Sequence, residues 1–333
     1  MTTTNTKTVI TTGGGDYSTL STWEADRNVD ITAATGSDSI EIVNCSGATA
    51  DTSSVNLNGW TTSAGNYIVI NGNLSLGKWN TNCYRLEVTD STKINVGNGA
   101  GYIRMDKLQI KNICTYNYGG MNALYIEMND TTYDVRLSNS IIWATDTGTS
   151  TNRQGIEIWP DNTSNIYIWN CLIYREGGNA ENCAIAGYRN VNVYNCCGVG
   201  NWSIAFYRGS GDFIAKNCYG QTDSGISFSN VTKTTCASSD TTGSVGLQNI
   251  ALSTDNFVNI SSGSKDLHLV SGSALIGVAT DTSGESAPLN FTTDIDGQTR
   301  TVPWDIGADE YVAATPPAVI QQIESDSTSI FFI

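Results

Sequence analysis

The sequence has little positive charge, little proline and almost no histidine. Its 333 residues include 17 lysines and arginines against 32 aspartates and glutamates, which gives a net charge of −15. Binding to phosphate groups requires clustered lysines and arginines, so this balance argues against nucleic acid and anionic membranes as partners. A polyanionic glycan is disfavoured for the same reason, unless a cation bridges the charges.

Patterns typical of metal sites, export and membrane insertion are also missing. The one histidine is His268, and no CxxC pair occurs, so neither a structural zinc site nor a cofactor is expected. No run of about 18 apolar residues occurs, and the N-terminus has no apolar core of signal-peptide length. The sequence therefore predicts a protein that is made in the cytoplasm, is not exported by a signal peptide and does not insert into a membrane.

The residues that are abundant favour β-structure. Threonine, serine, asparagine, valine, isoleucine and tyrosine dominate, whereas runs of good helix formers are nearly absent. This composition is typical of strands and turns, and it predicts an all-β protein.

A short pattern recurs between residues 102 and 236: two apolar residues spaced by one, a polar residue, then asparagine and usually cysteine. It returns roughly every 20–30 residues, and period-two alternation combined with such a repeat is typical of a β-solenoid. A second strand pattern upstream of each asparagine keeps step with the first, so loops must absorb the unequal spacing. The asparagines predicted to form one column are Asn112, Asn139, Asn170, Asn195 and Asn217.

These repeats resemble those of right-handed parallel β-helix proteins, the architecture of pectate lyases and of many phage tailspikes. Successive coils of such a fold lie about 4.8 Å apart, so stacked asparagines satisfy one another away from water. The motif DxDGxxR at 294–300, followed by DIGADEY at 305–311, resembles the closing motif of β-helix proteins in tailed-phage and environmental bacterial genomes. The resemblance implies a right-handed parallel β-helix (solenoid) with an N-terminal capping helix and a C-terminal closing segment.

The chain divides into four predicted parts. A short helix at 18–26, with Leu20 and Trp23 on one face, is the candidate cap over the first coil. We expect the cap and first strands at 1–60, the β-helix at 61–275, the closing segment at 276–312 and a proline-linked tail at 313–333. The apolar end of that tail is predicted to make assembly contacts through Ile330, Phe331, Phe332 and Ile333.

Four of the nine cysteines occupy the position just after a predicted ladder residue. There they would stack inside the coils as small apolar side chains and stay reduced, which fits maturation in a reducing cytosol. These cysteines are Cys171, Cys196, Cys218 and Cys236.

Aromatic side chains at outward strand positions are candidate glycan-binding or interface residues. Such stripes stack on sugar rings, pack between subunits or cover a sheet, and the sequence leaves these three alternatives open. One predicted register contains Trp159, Tyr188 and Tyr207, and another contains Tyr167, Trp169 and Tyr194.

Two groups of carboxylates are weak candidates for chemistry. Glu127 and Glu157 are predicted to lie outward on adjacent coils, about 5 Å apart, which would suit a retaining glycosidase. No third acid, histidine or arginine shares their register, so the catalytic interpretation is disfavoured. A Ca²⁺ site is a second candidate, although its spacing matches no complete calcium loop and a clamp between Arg300 and carboxylates is favoured instead. Its residues would be Asp294, Asp296 and Asp305.

Three classes of function follow. The favoured one is a structural virion protein of a tailed phage, such as a capsid decoration, fibre or tailspike-like component, which assembles as a homo-oligomer, most simply a trimer, with other virion proteins. In that role it would also offer its aromatic residues to a host surface glycan. The alternatives are a polysaccharide-degrading glycosidase or lyase and a bacterial surface adhesin, the latter disfavoured by the absent signal peptide.

Overall fold

The computed structural model describes residues 1–97, 99–115, 122–128, 133–146, 154–160, 165–177, 182–188 and 190–313. This part of the chain contains one helix, α1 (Leu20–Arg27), and twenty-five short strands. The strands up to residue 128 are β1 (Thr3–Ile10), β2 (Ser39–Ser46), β3 (Val55–Asn56), β4 (Ile68–Asn71), β5 (Leu86–Thr89), β6 (Ile94–Val96), β7 (Tyr102–Asp106), β8 (Gln109–Cys114) and β9 (Leu124–Met128). Those up to residue 208 are β10 (Asp134–Ser138), β11 (Ile141–Asp146), β12 (Ile156–Pro160), β13 (Asn165–Trp169), β14 (Leu172–Gly177), β15 (Cys183–Gly187), β16 (Val191–Tyr194), β17 (Cys197–Gly200) and β18 (Ile204–Arg208). The last are β19 (Phe213–Lys216), β20 (Tyr219–Gly220), β21 (Ile226–Ser229), β22 (Thr232–Thr234), β23 (Ala237–Ser238), β24 (Phe257–Asn259) and β25 (Asp266–Leu269).

Strands β1 to β23 form three long parallel sheets, which are named here sheets A, B and C. Sheet A has the order β1-β2-β4-β7-β10-β13-β16-β19-β22, sheet B the order β5-β8-β11-β14-β17-β20-β23, and sheet C the order β3-β6-β9-β12-β15-β18-β21. From β4 onward the chain visits A, B and C in turn, so every third strand returns to the same sheet. This is a parallel β-helix, and the predicted all-β solenoid fold is confirmed.

Period-two alternation produces the core. In β10, Val135 and Leu137 are buried while Arg136 between them points outward, and β13 repeats the pattern with Ile166 and Ile168 around its own outward residue. Because strands pair in parallel register, the inward residues of successive coils stack into one apolar column.

Helix α1 covers the first coil, as predicted. Thr19 and Thr22 form a capping box at its start, which satisfies otherwise unpaired amide groups. Leu20 and Trp23 are fully buried, and the Trp23 ring stacks on Trp60 at 5.7 Å. None of the described helical residues forms a helix that is long and apolar enough to cross a membrane.

The parallel sheets extend from Thr3 to Ser238, so the coils begin and end earlier than the predicted range 61–275. After residue 238 the chain runs along the outside of the coils. Its apolar residues pack against the outer face of sheet B, where a second hydrophobic cluster joins Trp143, Tyr174 and Tyr219 to Leu275 and Trp304. The closing segment therefore buries one flank of the β-helix, the outer face of sheet B. The predicted assembly residues Ile330, Phe331, Phe332 and Ile333 lie outside the described residues.

The asparagine ladder lies at the turn between sheets A and B, and it contains four of the five predicted residues. They adopt left-handed backbone angles, with φ between 47° and 56°, which asparagine tolerates better than most residues. Asn170 Nδ2 donates to Asn139 Oδ1 at 3.1 Å, and Asn217 Nδ2 donates to Asn195 Oδ1 at 3.2 Å.

The prediction for Asn112 is wrong. It lies on β8 in sheet B, opposite Val88 and Ala144, whereas Lys107 occupies the ladder turn of its coil with φ of 55°. The sequence before Asn112 imitates the repeat because strands of sheets A and B share the same alternation.

The cysteine prediction is confirmed in the structure. All nine cysteines are free and buried. The four predicted to stack follow the ladder turn in successive coils, and the Cys171 amide donates to Cys196 Sγ at 3.4 Å.

Candidate functional site

Among the described residues, the most exposed aromatic side chain lies on sheet C. The Trp159 side chain is 46% exposed and stacks on Tyr188 with ring centroids 4.0 Å apart and planes 22° apart. Tyr207 contacts Tyr188 edge-on at 6.2 Å. These three residues are called the aromatic platform.

Only part of the predicted register holds for the platform. Tyr188 follows Gly187, the partner of Ile158, so its ring lies directly beside Trp159. Tyr207 instead pairs with Ala186 and lies in the neighbouring column, two residues earlier along the strand. The prediction of one column for all three is wrong, because the short loop before β18 shifts its pairing.

A buried carboxylate holds the indole in place. Trp159 Nε1 donates to Glu157 Oε1 at 2.6 Å, and Glu157 is only 7% exposed. Asn122 Nδ2 donates to Glu157 Oε2 at 2.5 Å, and Gln154 Nε2 donates to Oε1 at 3.1 Å. Three donors therefore fix the carboxylate, and through it the orientation of Trp159.

Tyr188 is held from the opposite side. A Cβ at Gly209 would lie 2.2 Å from the Tyr188 ring, so only glycine leaves room for the ring to lie against that backbone. The Ser210 hydroxyl donates to the Tyr188 carbonyl at 2.5 Å. Tyr188 covers one face of the indole. The other face is directed toward the preceding coil, which carries the exposed Glu127.

The predicted carboxylate pair does not form. Glu127 pairs with Trp159, and Glu157 pairs with Tyr125, so the two glutamates are diagonal rather than opposite. Diagonal positions are about 7–8 Å apart, wider than the spacing of a retaining pair. Both oxygens of Glu157 also accept hydrogen bonds already, and the residue is buried, so this carboxylate is poorly accessible to a water or a sugar.

The second predicted aromatic stripe is largely covered by the protein's own chain. Trp169 and Tyr194 do share a column, but Phe291 of the closing segment stacks on Trp169 at 6.1 Å. Tyr194 is 5% exposed, whereas Tyr167 belongs to another column, opposite Arg136 and Asn192. These residues do not form one exposed stripe.

Two of the three candidate calcium ligands, Asp294 and Asp305, serve the turns of the closing segment instead, while Asp296 contacts His268. Asp294 Oδ1 accepts the amides of Asp296 at 3.0 Å and Gln298 at 2.7 Å, while Asp305 accepts those of Gly277 and Tyr311, both at 2.6 Å. Burial raises the pKa of Asp294 and of Asp305. They do not converge on one ion.

The predicted clamp between Arg300 and a carboxylate exists, and its carboxylate partner is Glu310. The Arg300 guanidinium is fully buried and donates to the carbonyls of Gly307 at 3.1 Å and Ala308 at 2.9 Å. It also donates to Glu310 Oε2 at 3.4 Å and to Asn170 Oδ1 at 3.1 Å, the latter on the ladder. Arg300 thus fastens the closing segment to the coils.

Sequence reasoning missed a cluster around His268. Its Nδ1 contacts Asp266 Oδ1, and its Nε2 lies 2.8 Å from Asp296 Oδ2, with Asp309 close by. Burial alone would lower the pKa of His268, but the hydrogen bonds with Asp266 and Asp296 raise it to about 10. Burial raises the pKa of Asp309 to about 6. No local spacing links these positions, which only the packing of the closing segment brings together.

A polar groove of about 660 Å³ lies between sheet B and the loop after residue 250. Three of the four charged residues that line it are in ion pairs, and the fourth, Asp223, accepts a hydrogen bond from Gln221 Nε2 at 3.0 Å. Lys265 Nζ lies 3.3 Å from Glu176, whose carboxylate also accepts the Gly263 amide. Arg175 is paired with buried Asp146 at 3.0 Å.

Comparison with models of protein families, with curated proteins and with solved structures gives no match to this chain.

Proposed function

We propose that this protein is a non-catalytic structural component of a tailed-phage particle that binds a neutral surface glycan on its aromatic platform. The observation that carries the glycan part is the exposed indole of Trp159, which is held rigid by Tyr188 and Glu157. A sugar ring stacks on an aromatic face through its C–H groups, and a face that is already fixed loses little conformational entropy on binding.

The surroundings of the indole favour a glycan over a purely apolar partner. Glu127 is the neighbour of Trp159 in the preceding coil and is exposed, so its carboxylate offers hydrogen-bond acceptors to sugar hydroxyls. The net charge of −15 repels polyanions, so the ligand class is a neutral glycan.

The absence of catalysis is proposed on two grounds. The diagonal placement of Glu127 and Glu157 does not give the geometry of a retaining pair. An inverting pair would need Glu157 open to water, whereas three donors already hold this buried carboxylate. A general acid and a nucleophile both need access to the substrate, and the burial of Glu157 denies it that access.

The location on a virion is proposed from the resemblance of the repeats and the closing motif to β-helix proteins of tailed phages. The homotrimer stays a prediction with narrower support, because Trp169 and Tyr194 are covered by the closing segment. Trp159, Tyr188 and Tyr207 remain candidates for either a glycan or a subunit contact.

Glycan-array binding by Trp159→Ala and by Tyr167→Ala tests the proposal. Tyr167 is an outward aromatic residue on another sheet, so it controls for loss of an aromatic ring. We expect wild type and Tyr167→Ala to bind the same neutral glycans and Trp159→Ala to lose them. Equal binding by all three proteins would refute the platform. The virion assignment is tested separately by mass spectrometry of purified particles from cells that encode the chain, and its failure would leave the glycan result intact.

A further inference from the structure

Three potential metal ligands converge beside β25. His268 on β25 and Asp296 and Asp309 of the closing segment each offer one ligand atom, and these atoms lie within 4.8 Å of one another. They come from positions far apart in sequence, so the convergence results from docking of the closing segment.

One of these ligands has an unsatisfied oxygen. Asp296 Oδ2 contacts His268 Nε2, but Asp296 Oδ1 is buried and has no hydrogen-bond partner. A buried carboxylate oxygen without a partner is costly, which points to a missing ligand. No amide or hydroxyl group of the described residues fills this role.

Gly77 leaves space next to the same atoms. A Cβ at this position would lie 2.8 Å from Asp296 Oδ1 and 2.9 Å from His268 Nε2. Any side chain at residue 77 would therefore crowd Asp296 Oδ1 and His268 Nε2, whereas glycine leaves these two ligand atoms accessible to an ion. Gly77 also has a φ of +46°, which glycine adopts without strain.

The histidine is oriented as in many metal centres. Its Nδ1 faces Asp266 Oδ1, and Asp266 is held from the other side by Lys78 Nζ at 2.9 Å. A carboxylate on one ring nitrogen fixes the orientation of the imidazole and presents the other nitrogen to a metal. Here the nitrogen presented to Asp296 and Asp309 is Nε2.

We propose that His268, Asp296 and Asp309 bind one divalent transition-metal ion of the Zn²⁺ class, which fastens the closing segment to β25. An imidazole nitrogen favours Zn²⁺ and its neighbours over Ca²⁺ and Mg²⁺, which prefer oxygen ligands alone. Three protein ligands leave a fourth tetrahedral position for water. The ion takes the place of the proton on His268 Nε2, which is released to solvent, and the carboxylate of Asp296 binds the ion instead of that proton. This site is independent of the aromatic platform.

The test uses the full chain after removal of metals with a chelator. Titration calorimetry with ZnCl₂ should show one site per chain, and Co²⁺ should give the visible absorption of a tetrahedral nitrogen–oxygen site. Asp266→Asn, which removes the carboxylate behind the histidine, should weaken Zn²⁺ binding by about 10- to 100-fold. Asp296→Asn should weaken it at least as much.

A matched pair of glycine variants separates a bound ion from general stability. Gly77→Ala fills the space beside the ligands, and Gly272→Ala imposes the same kind of left-handed strain, at φ +86°, with nothing within 4 Å. We expect Zn²⁺ to raise the melting temperature of wild type and Gly272→Ala but not of Gly77→Ala. Absence of saturable Zn²⁺ binding by wild type, or equal binding by Gly77→Ala, would overturn the proposal. An equal response to Ca²⁺ or Mg²⁺ would overturn the choice of metal. If the variants fail to fold, the Co²⁺ spectrum of wild type decides.

Discussion

Replacing Arg300 by methionine should release the closing segment while the coils stay folded. The side chain has no solvent exposure and donates to Glu310, to Asn170 and to the carbonyls of Gly307 and Ala308. Methionine keeps much of the volume but removes every donor, and it leaves the Glu310 carboxylate buried without its cation. Breaking a buried ion pair by removing one partner costs about 3–5 kcal/mol.

This cost predicts a measurable increase in local opening. Since each 1.4 kcal/mol is tenfold, the opening equilibrium of the closing segment should rise by roughly 10²-fold to a few thousand-fold. The interior coils do not contain Arg300 and are held by their own ladders, so they should change much less. The variant should therefore behave as a folded β-helix with a loosened flank.

Hydrogen exchange followed by mass spectrometry measures this difference. Peptides from 275–311 should lose protection in Arg300→Met, whereas peptides from β10, β13 and β16 should keep theirs. Arg208→Met is the control, because Arg208 is partly exposed and makes one long hydrogen bond, to the Gly211 carbonyl at 3.4 Å. Unchanged protection at 275–311, or equal loss in segment and coils, would refute the reasoning.

Three further predictions concern the coils and the cap. In urea unfolding, Asn217→Ala should lower the free energy of unfolding by about 1 kcal/mol more than Asn217→Gly does, because φ at residue 217 is 56° and glycine adopts that angle more freely than alanine. Equal losses in the two variants would show that the backbone angle is unimportant. Burial raises the pKa of Glu24, so this group favours the folded state most below its ordinary value of 4.5, and that stabilisation is lost as pH rises through the raised value. Glu24→Gln should remove this part of the pH dependence in thermal melts from pH 4 to 7, and an unchanged profile would contradict the assignment. Alkylation of the native protein should label no cysteine, whereas alkylation after denaturation without reductant should label all of them, including Cys171, Cys196, Cys218 and Cys236; disulfide-linked peptides would contradict this.

The parts of the fold that follow from short-range alternation could be predicted from the sequence. Inward residues such as Val135 and Ile166 repeat with period two, and the asparagine at the following turn marks the coil. The same alternation gives the wrong position for Asn112, because a strand of sheet B that contains asparagine has the same pattern as a strand of sheet A followed by a ladder asparagine. Alternation identifies a strand, but the sheet to which it belongs depends on the loops between strands.

The candidate sites depended more on register and on long-range packing. Tyr207 was misplaced by two residues because loops of unequal length reset the pairing, and the same kind of error put Glu127 opposite Glu157. The contacts of His268 with Asp296 and Asp309 arise only when the closing segment packs along sheet B. No local pattern encodes that packing, because its surfaces are joined by the hydrophobic effect, which is not directional.

The aromatic platform is proposed to bind a neutral glycan without cleaving it, and one experiment tests both the binding and the absence of cleavage. Wild type, Trp159→Ala and Glu127→Gln are incubated with the glycan that the array identifies, and bound glycan and its chain length are measured together. We predict that wild type retains the glycan at its original length and that Trp159→Ala retains none. Shortening of the glycan by wild type, abolished in Glu127→Gln, would contradict the account and establish an enzyme.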